Sequence, residues 1–88
     1  MAILEAMILE IFGYRDEPAE RLERAVREAL DGLGLAGEAT IFRVEDPASM
    51  VGRGIWRAPG LAVNGKVVAR GKVLTAAEAR ELIGSAAG

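Results

Sequence analysis

A strand–turn–strand pattern in the C-terminal half constrains the fold more than any other part of the sequence. Two short runs that are typical of strands, residues 61–63 and 66–69, flank the dipeptide Asn64-Gly65. Both residues of this dipeptide tolerate the positive φ angles of a type I′ turn, so the pattern predicts a two-residue β-hairpin. Pro59 precedes the first run, and a proline is tolerated at the start of a strand. We therefore expect two antiparallel strands that follow an Ala58-Pro59 step.

The N-terminal half predicts a strand, a helix and a second strand. Residues 7–13 form an apolar run that ends at glycine, and apolar side chains on both faces indicate an interior strand covered on both sides. Residues 38–44 alternate in polarity, which predicts a second strand near a sheet edge. The intervening helix should run from about residue 18 to 33, with charged pairs at i,i+4 spacing on its polar face. Its apolar stripe consists of Leu22, Ala25, Val26, Ala29, Leu30 and Leu33.

Short polar side chains that can cap a helix mark the starts of three predicted helices. The long helix should end at Gly32 and Gly34, because glycine readily takes the left-handed conformation that follows a helix. A short helix is predicted over residues 47–51, and a last helix should end near residue 83. The three start signals are Asp16 with Pro18, Asp46 with Pro47, and the capping box of Thr75 with Glu78.

These elements follow the order β-α-β-α-β-β-α, which predicts an α/β fold. The four-stranded sheet should be mixed, because strand–helix–strand units pair their strands in parallel whereas the hairpin is antiparallel. Helices should flank this sheet. The length of 88 residues fits a single domain over residues 1–88. Within it, we expect residues 1–6 to form an N-terminal arm and residues 85–88 to fray.

Composition argues against several classes of function. The chain has no cysteine and no histidine, which removes disulfides, thiol catalysis, zinc–thiolate sites and histidine-based proton transfer. The net charge of -2 argues against a nucleic-acid or anionic-membrane binder. The sequence shows no apolar run long enough to span a membrane and no basic start typical of a signal peptide. We therefore expect a cytoplasmic protein without a metal or another cofactor.

The order of elements resembles the thioredoxin fold. More closely, the chain resembles the small redox-active disulfide proteins, which are glutaredoxin-sized thioredoxins of archaea and bacteria. That family has an apolar strand, a Gly-x-Gly-Cys-x-x-Cys motif, an amphipathic helix and, later, Thr-Pro-x-Leu-x-Val-Asn-Gly-Lys-Val-Val. The resemblance covers about residues 7–83. Its most specific part is the run Ala58-Pro59-Gly60-Leu61-Ala62-Val63-Asn64-Gly65-Lys66-Val67-Val68.

The family's two cysteines have no counterpart in this chain. When Gly13 and Leu22 are aligned with the family pattern, the cysteine positions fall on Asp16 and Ala19. Neither residue can form the mixed disulfide that thiol–disulfide exchange requires. The chain therefore resembles a thioredoxin-like domain that has lost its CxxC motif, and we expect no enzyme activity of that kind. The resemblance also implies a cis Ala58-Pro59 bond, although most X-Pro bonds are trans.

With the thiols absent, the resemblance implies a surface that binds a protein or a peptide. In thioredoxin-like folds the backbone of the residue before the cis proline pairs with an extended peptide, and that residue is Ala58 here. The only tyrosine and the only tryptophan lie in the same two loops. Aromatic residues and arginine are enriched at binding hot spots. The candidate site consists of Tyr14, Arg15 and Asp16, with Trp56, Arg57, Ala58 and Pro59 at the same end of the molecule.

Four alternatives remain open from the sequence. Trp56 could instead cover the core, leaving Arg15 and Arg57 solvated. The chain could serve a thiol-redox system whose cysteines come from a partner protein. It could form a homodimer through apolar strand edges or an arm at Ile3-Leu4. Asp16 could act as a general base, although the sequence shows no partner to orient it.

Overall fold

The structure, a computed structural model, describes residues 7–87 of the chain, so the predicted arm at residues 1–6 lies outside the described residues. The elements follow the predicted order, with an additional 3₁₀ turn at Ala36–Glu38. Within residues 7–87, no helix is both long enough and apolar enough to cross a membrane. The elements are β1 (Met7–Phe12), α1 (Glu17–Leu33), β2 (Ala39–Val44), α2 (Pro47–Gly52), β3 (Gly60–Val63), β4 (Lys66–Arg70) and α3 (Ala76–Ala87).

The sheet has four strands in the order β2-β1-β3-β4. Strand β1 pairs in parallel with β2 and antiparallel with β3, and β3 pairs antiparallel with β4. The predicted mixed sheet, with β2 at an edge, is therefore confirmed. Asn64 and Gly65 connect β3 and β4 with φ angles of 49° and 85°, the positive values expected of this dipeptide.

The two faces of the sheet are covered unequally. Helices α1 and α3 pack on one face over Leu9, Ile11 and Leu61, whereas the other face carries a smaller cluster of Phe12, Met50, Ile55 and Ala62. The small cluster lies under α2 and the loop after it, so the start of β1 is not covered there. Ile8 is 44% exposed as a result. This corrects the prediction of a strand covered on both sides, because the second face of β1 is exposed at Ile8.

Helix α1 begins where its capping signal predicts. The carboxylate of Asp16 accepts a hydrogen bond from the N–H of Ala19 at 3.1 Å, which satisfies one of the unpaired donors of the first turn. The helix ends at Gly34, which has a φ of 71°. Gly32 lies inside the helix, because one left-handed residue is sufficient to end it.

Helix α3 opens with the predicted capping box. The N–H of Glu78 donates to the hydroxyl of Thr75 at 3.1 Å, and the N–H of Thr75 donates to the carboxylate of Glu78 at 2.9 Å. The helix continues to Ala87, which corrects the predicted end near residue 83 and shows residues 85–87, expected to fray, as helical. Leu82 and Ala86 pack against the main core, so the last turn has a surface to bury.

Candidate functional site

Close packing between three small residues brings the two predicted loops together. Phe12, the last residue of β1, pairs with Gly60, the first residue of β3, so the loops next to them leave the same end of the sheet. A Cβ atom at Gly13 would lie 2.9 Å from the Cβ of Ala19 and 3.6 Å from the Cβ of Pro59. The Ala58-Pro59 bond is cis. The start of α1 and the proline loop therefore share one end of the molecule.

Trp56 lies on the surface of this end and is 78% exposed. Its neighbour Ile55 enters the core instead, where it packs in the cluster with Phe12, Met50 and Ala62. The alternative in which Trp56 covers the core is therefore wrong. An exposed fraction this high is unusual for tryptophan, because its side chain has a large apolar area. It marks the loop as a candidate contact surface.

The main chain beside Trp56 is open as well. Among residues 7–87, the N–H and C=O groups of Trp56, Arg57 and Ala58 have no hydrogen-bond partner. The next residue is fixed, because Pro59 is buried and its carbonyl accepts a hydrogen bond from the N–H of Gly71 at 2.8 Å. Within the described residues, the unpaired backbone of residues 56–58 is therefore followed directly by a residue that is buried and hydrogen-bonded.

The loop before α1 is directed toward β2 by two arginines. The side chain of Arg43 on β2 donates a hydrogen bond to the carbonyl of Tyr14 at 3.0 Å. The Nε atom of Arg15 lies 3.3 Å from a carboxylate oxygen of Glu45, just after β2. The side chain of Tyr14 is exposed. Tyr14 and Arg15 therefore belong to the β2 side of this end.

Arg57 lies on the opposite side, next to β4. A Cβ atom at Gly71 would meet the Cβ of Arg57 at 3.0 Å, so the stem of Arg57 lies against the residue that follows β4. Arg15 and Arg57 consequently stand at opposite edges of the sheet. The structure brings the seven predicted residues to one end but divides their two cations between its two sides.

Arg43 is the main residue that the sequence did not identify. Its Nη1 atom lies 2.9 Å from the carboxylate of Glu23 and 3.2 Å from that of Glu20, both on α1. Partial burial disfavours the charge on Glu23, but hydrogen bonds from Arg43 and Arg27 outweigh it and lower the pKa of Glu23. The available signal was the position of Arg43 in the strand alternation, on the same face as Ala39 and Ile41.

A charged cleft of about 460 Å³ opens beside this ion pair, at the start of α1. The carboxylate of Asp16 is used as the cap of α1, and no other side chain within residues 7–87 contacts it as an orienting partner for proton transfer. Nor do the described residues contain a group of three or more side chains placed to hold a metal ion. The cleft is lined by Arg15, Asp16, Glu17, Glu20, Arg43 and Glu45.

Comparison with known proteins agrees with this architecture. A family model described as a thioredoxin domain matches residues 8–84. Among solved structures, chloroplastic thioredoxin z superposes with a TM-score of 0.70 over 96% of this chain and 81% of that chain, at 18% sequence identity. At this identity the likeness concerns the fold alone. A search of curated proteins gives no match.

Proposed function

This chain belongs to the thioredoxin domain family, and from that premise we propose that it is a non-catalytic module that binds a protein or a peptide. It has no cysteine, and thiol–disulfide exchange requires a thiolate. Asp16 and Ala19, the residues aligned with the family's cysteines, act as the cap and the buried first turn of α1. The scaffold is therefore retained, whereas the groups for its usual chemistry are not.

The observation that carries the proposal is the combination of an exposed indole with unpaired main chain. Trp56 is 78% exposed, and the backbone of residues 56–58 has no hydrogen-bond partner among residues 7–87. An extended peptide can satisfy such groups by strand-like pairing, in which the main chain provides affinity and side-chain contacts provide specificity. In this arrangement Ala58 pairs with the peptide backbone, and Trp56 covers a neighbouring peptide side chain.

A peptide selection tests the proposal directly. Random dodecapeptides displayed on phage are selected on the wild-type domain, and the affinities of the selected peptides are measured for two variants. We expect Trp56→Ala to weaken binding at least tenfold, because tryptophan truncation at a hot spot costs about 2 kcal/mol or more. Phe42→Ala is the matched control, because it removes another aromatic side chain, 52% exposed on β2.

The outcomes separate the proposal from its competitors. Failure to select any peptide, or equal losses in Trp56→Ala and Phe42→Ala, would contradict it. In an insulin disulfide-reduction assay we expect the chain to remain at the cysteine-free background. If the chain instead accelerated reduction by a thiol protein that it binds, the alternative in which a partner supplies the cysteines would replace this proposal.

A cytoplasmic location remains a prediction from composition.

A further inference from the structure

Two arginines near the loop of Trp56 have no acidic partner in the part of the chain that the structure describes. Among residues 7–87, neither Arg57 nor Arg70 has a carboxylate oxygen within ion-pair distance. The Nε atom of Arg70 donates to the carbonyl of Gly54 at 3.1 Å, and the stem of Arg57 lies against Gly71. Arg70 is thus anchored on the segment before Trp56, whereas Arg57 directly follows Trp56 in the chain, and both arginines are exposed.

Nearby cations are neutralised within the chain, which makes this pair distinctive. Arg15 pairs with Glu45 at 3.3 Å, and Lys72 pairs with Glu78 at 2.6 Å. The remaining two arginines near this end, Arg43 and Arg53, also contact glutamates. In the described part of the chain, the positive charge at this end that has no acidic partner therefore lies on Arg57 and Arg70.

We propose that the patch formed by Trp56, Arg57 and Arg70 binds a glutamate or aspartate side chain of the peptide that pairs with Ala58. The inference rests on the proposed function and names the class of partner. Guanidinium groups present several N–H donors in a plane that matches the two oxygens of a carboxylate. An adjacent indole excludes water from such a contact, which strengthens the attraction between the charges.

The other side of the same end restricts the partner to a short acidic segment of another protein. The charged cleft contains four carboxylates and two guanidinium groups, which leaves an excess of negative charge. A continuous polyanion, such as a nucleic-acid strand, would be repelled there. A peptide with a single acidic position over Arg57 and Arg70 meets the positive side without extending its charge across the cleft.

The test uses immobilised nonapeptide libraries, random except for one position that is fixed in turn as Glu, Gln or Lys. At the position that reaches the patch, we expect the wild-type chain to be retained about five- to tenfold more on Glu than on Gln. Arg57→Gln should abolish this preference. Arg21→Gln should keep it, because Arg21 is an exposed arginine of α1 with no ion pair among the described residues.

A charge-reversal variant distinguishes a lost contact from a lost fold as the cause of a lost preference for Glu. Arg57→Glu should shift retention from Glu-fixed to Lys-fixed libraries, a gain that an unfolded chain cannot produce. Retention without any difference between Glu and Gln would overturn this inference and leave the proposed function intact. No retention on any library would overturn both. A stable dimer in sedimentation that depends on Trp56 would overturn the choice of a foreign peptide as the occupant.

Discussion

A Cβ atom on Gly13 would stand 2.9 Å from the Cβ of Ala19, closer than two such atoms can approach without displacement. Neither residue can easily move away, because Ala19 is fully buried in the first turn of α1 and Gly13 directly follows β1. Only glycine therefore lets the strand end pass this close to the helix. The contact sets the position of the loop that carries Tyr14 and Arg15.

Gly13→Ala should consequently destabilise the fold. Because the added methyl meets backbone and an alanine rather than a flexible side chain, we expect a loss of about 1–3 kcal/mol in the free energy of unfolding. Urea denaturation measures this loss. Gly37→Ala serves as the control, because a Cβ there would have nothing within 4 Å; its effect should stay within about 0.5 kcal/mol. Equal stability of the two variants would show that the contact at Gly13 is not constraining.

The ion pair between Arg43 and Glu23 should contribute more stability than the surface pairs. Their side chains are only 21% and 20% exposed, and Arg43 also holds the carbonyl of Tyr14. We expect Arg43→Ala to cost about 1–2 kcal/mol, because it removes one of the two arginines that pair with the partly buried Glu23, together with the hydrogen bond to the carbonyl of Tyr14. The control is Arg24→Ala, whose pair with Glu17 has side chains 66% and 72% exposed and should cost about 0–0.5 kcal/mol. Similar losses in urea denaturation would contradict this ranking.

The start of α3 should make stability depend on acid pH. A hydrogen bond from Lys72, together with one from the backbone of Thr75, lowers the pKa of Glu78 to about 2. In an unfolded chain the pKa of a glutamate is about 4.3. Because the folded pKa is the lower one, the contribution is complete above about pH 5 and disappears as the pH falls toward about 2.

Comparison of wild type with Glu78→Gln measures this contribution. The difference in free energy of unfolding should be largest at neutral pH and should shrink as the pH falls from about 5 to about 2. Glu28→Gln is the control, since Glu28 has no side-chain hydrogen bond or ion pair among residues 7–87. A Glu78→Gln difference that does not change with pH would show that the carboxylate is not stabilised in the folded state.

The fold was largely predictable because local signals agreed with one another. The hairpin follows from Asn64-Gly65, the helix starts follow from Asp16 and Thr75, and the parallel pairing of β1 with β2 follows from the helix between them. The uneven covering of the sheet was not predictable in the same way. A periodic pattern shows which side chains are apolar, but it does not show that α2 is too short to cover Ile8.

The candidate site was predicted as a location, whereas its contacts were not. Of the i,i+4 pairs expected on α1, the one between Glu23 and Arg27 forms, but Glu20 contacts Arg43 on β2 instead. A long charged side chain can reach several partners, and the one that it contacts depends on the tertiary structure rather than on sequence spacing. The same reasoning applies to Trp56, because no periodicity in its loop decides whether Ile55 or Trp56 enters the core.

Introducing two cysteines at residues 16 and 19 should test the correspondence with the family's motif. The Asp16 carboxylate already reaches the N–H of Ala19 at 3.1 Å, so a side chain at residue 16 lies over residue 19. We expect the Asp16→Cys, Ala19→Cys double variant to form an intramolecular disulfide without loss of the fold, as measured by mass spectrometry after alkylation and by circular dichroism. The Asp16→Cys single variant should keep a free thiol. A folded double variant that stays reduced under oxidising conditions would contradict the alignment.

Fluorescence of Trp56 shows whether a peptide binds at the proposed site, because Trp56 is the only tryptophan in the chain and lies within that site. A selected peptide without aromatic residues is titrated into the wild-type domain, and binding is measured in parallel by calorimetry. We expect a blue shift of the Trp56 emission and reduced quenching by acrylamide, both saturating with the calorimetric Kd. Saturable binding in the calorimeter with unchanged emission and quenching would place the peptide elsewhere and contradict binding at Trp56.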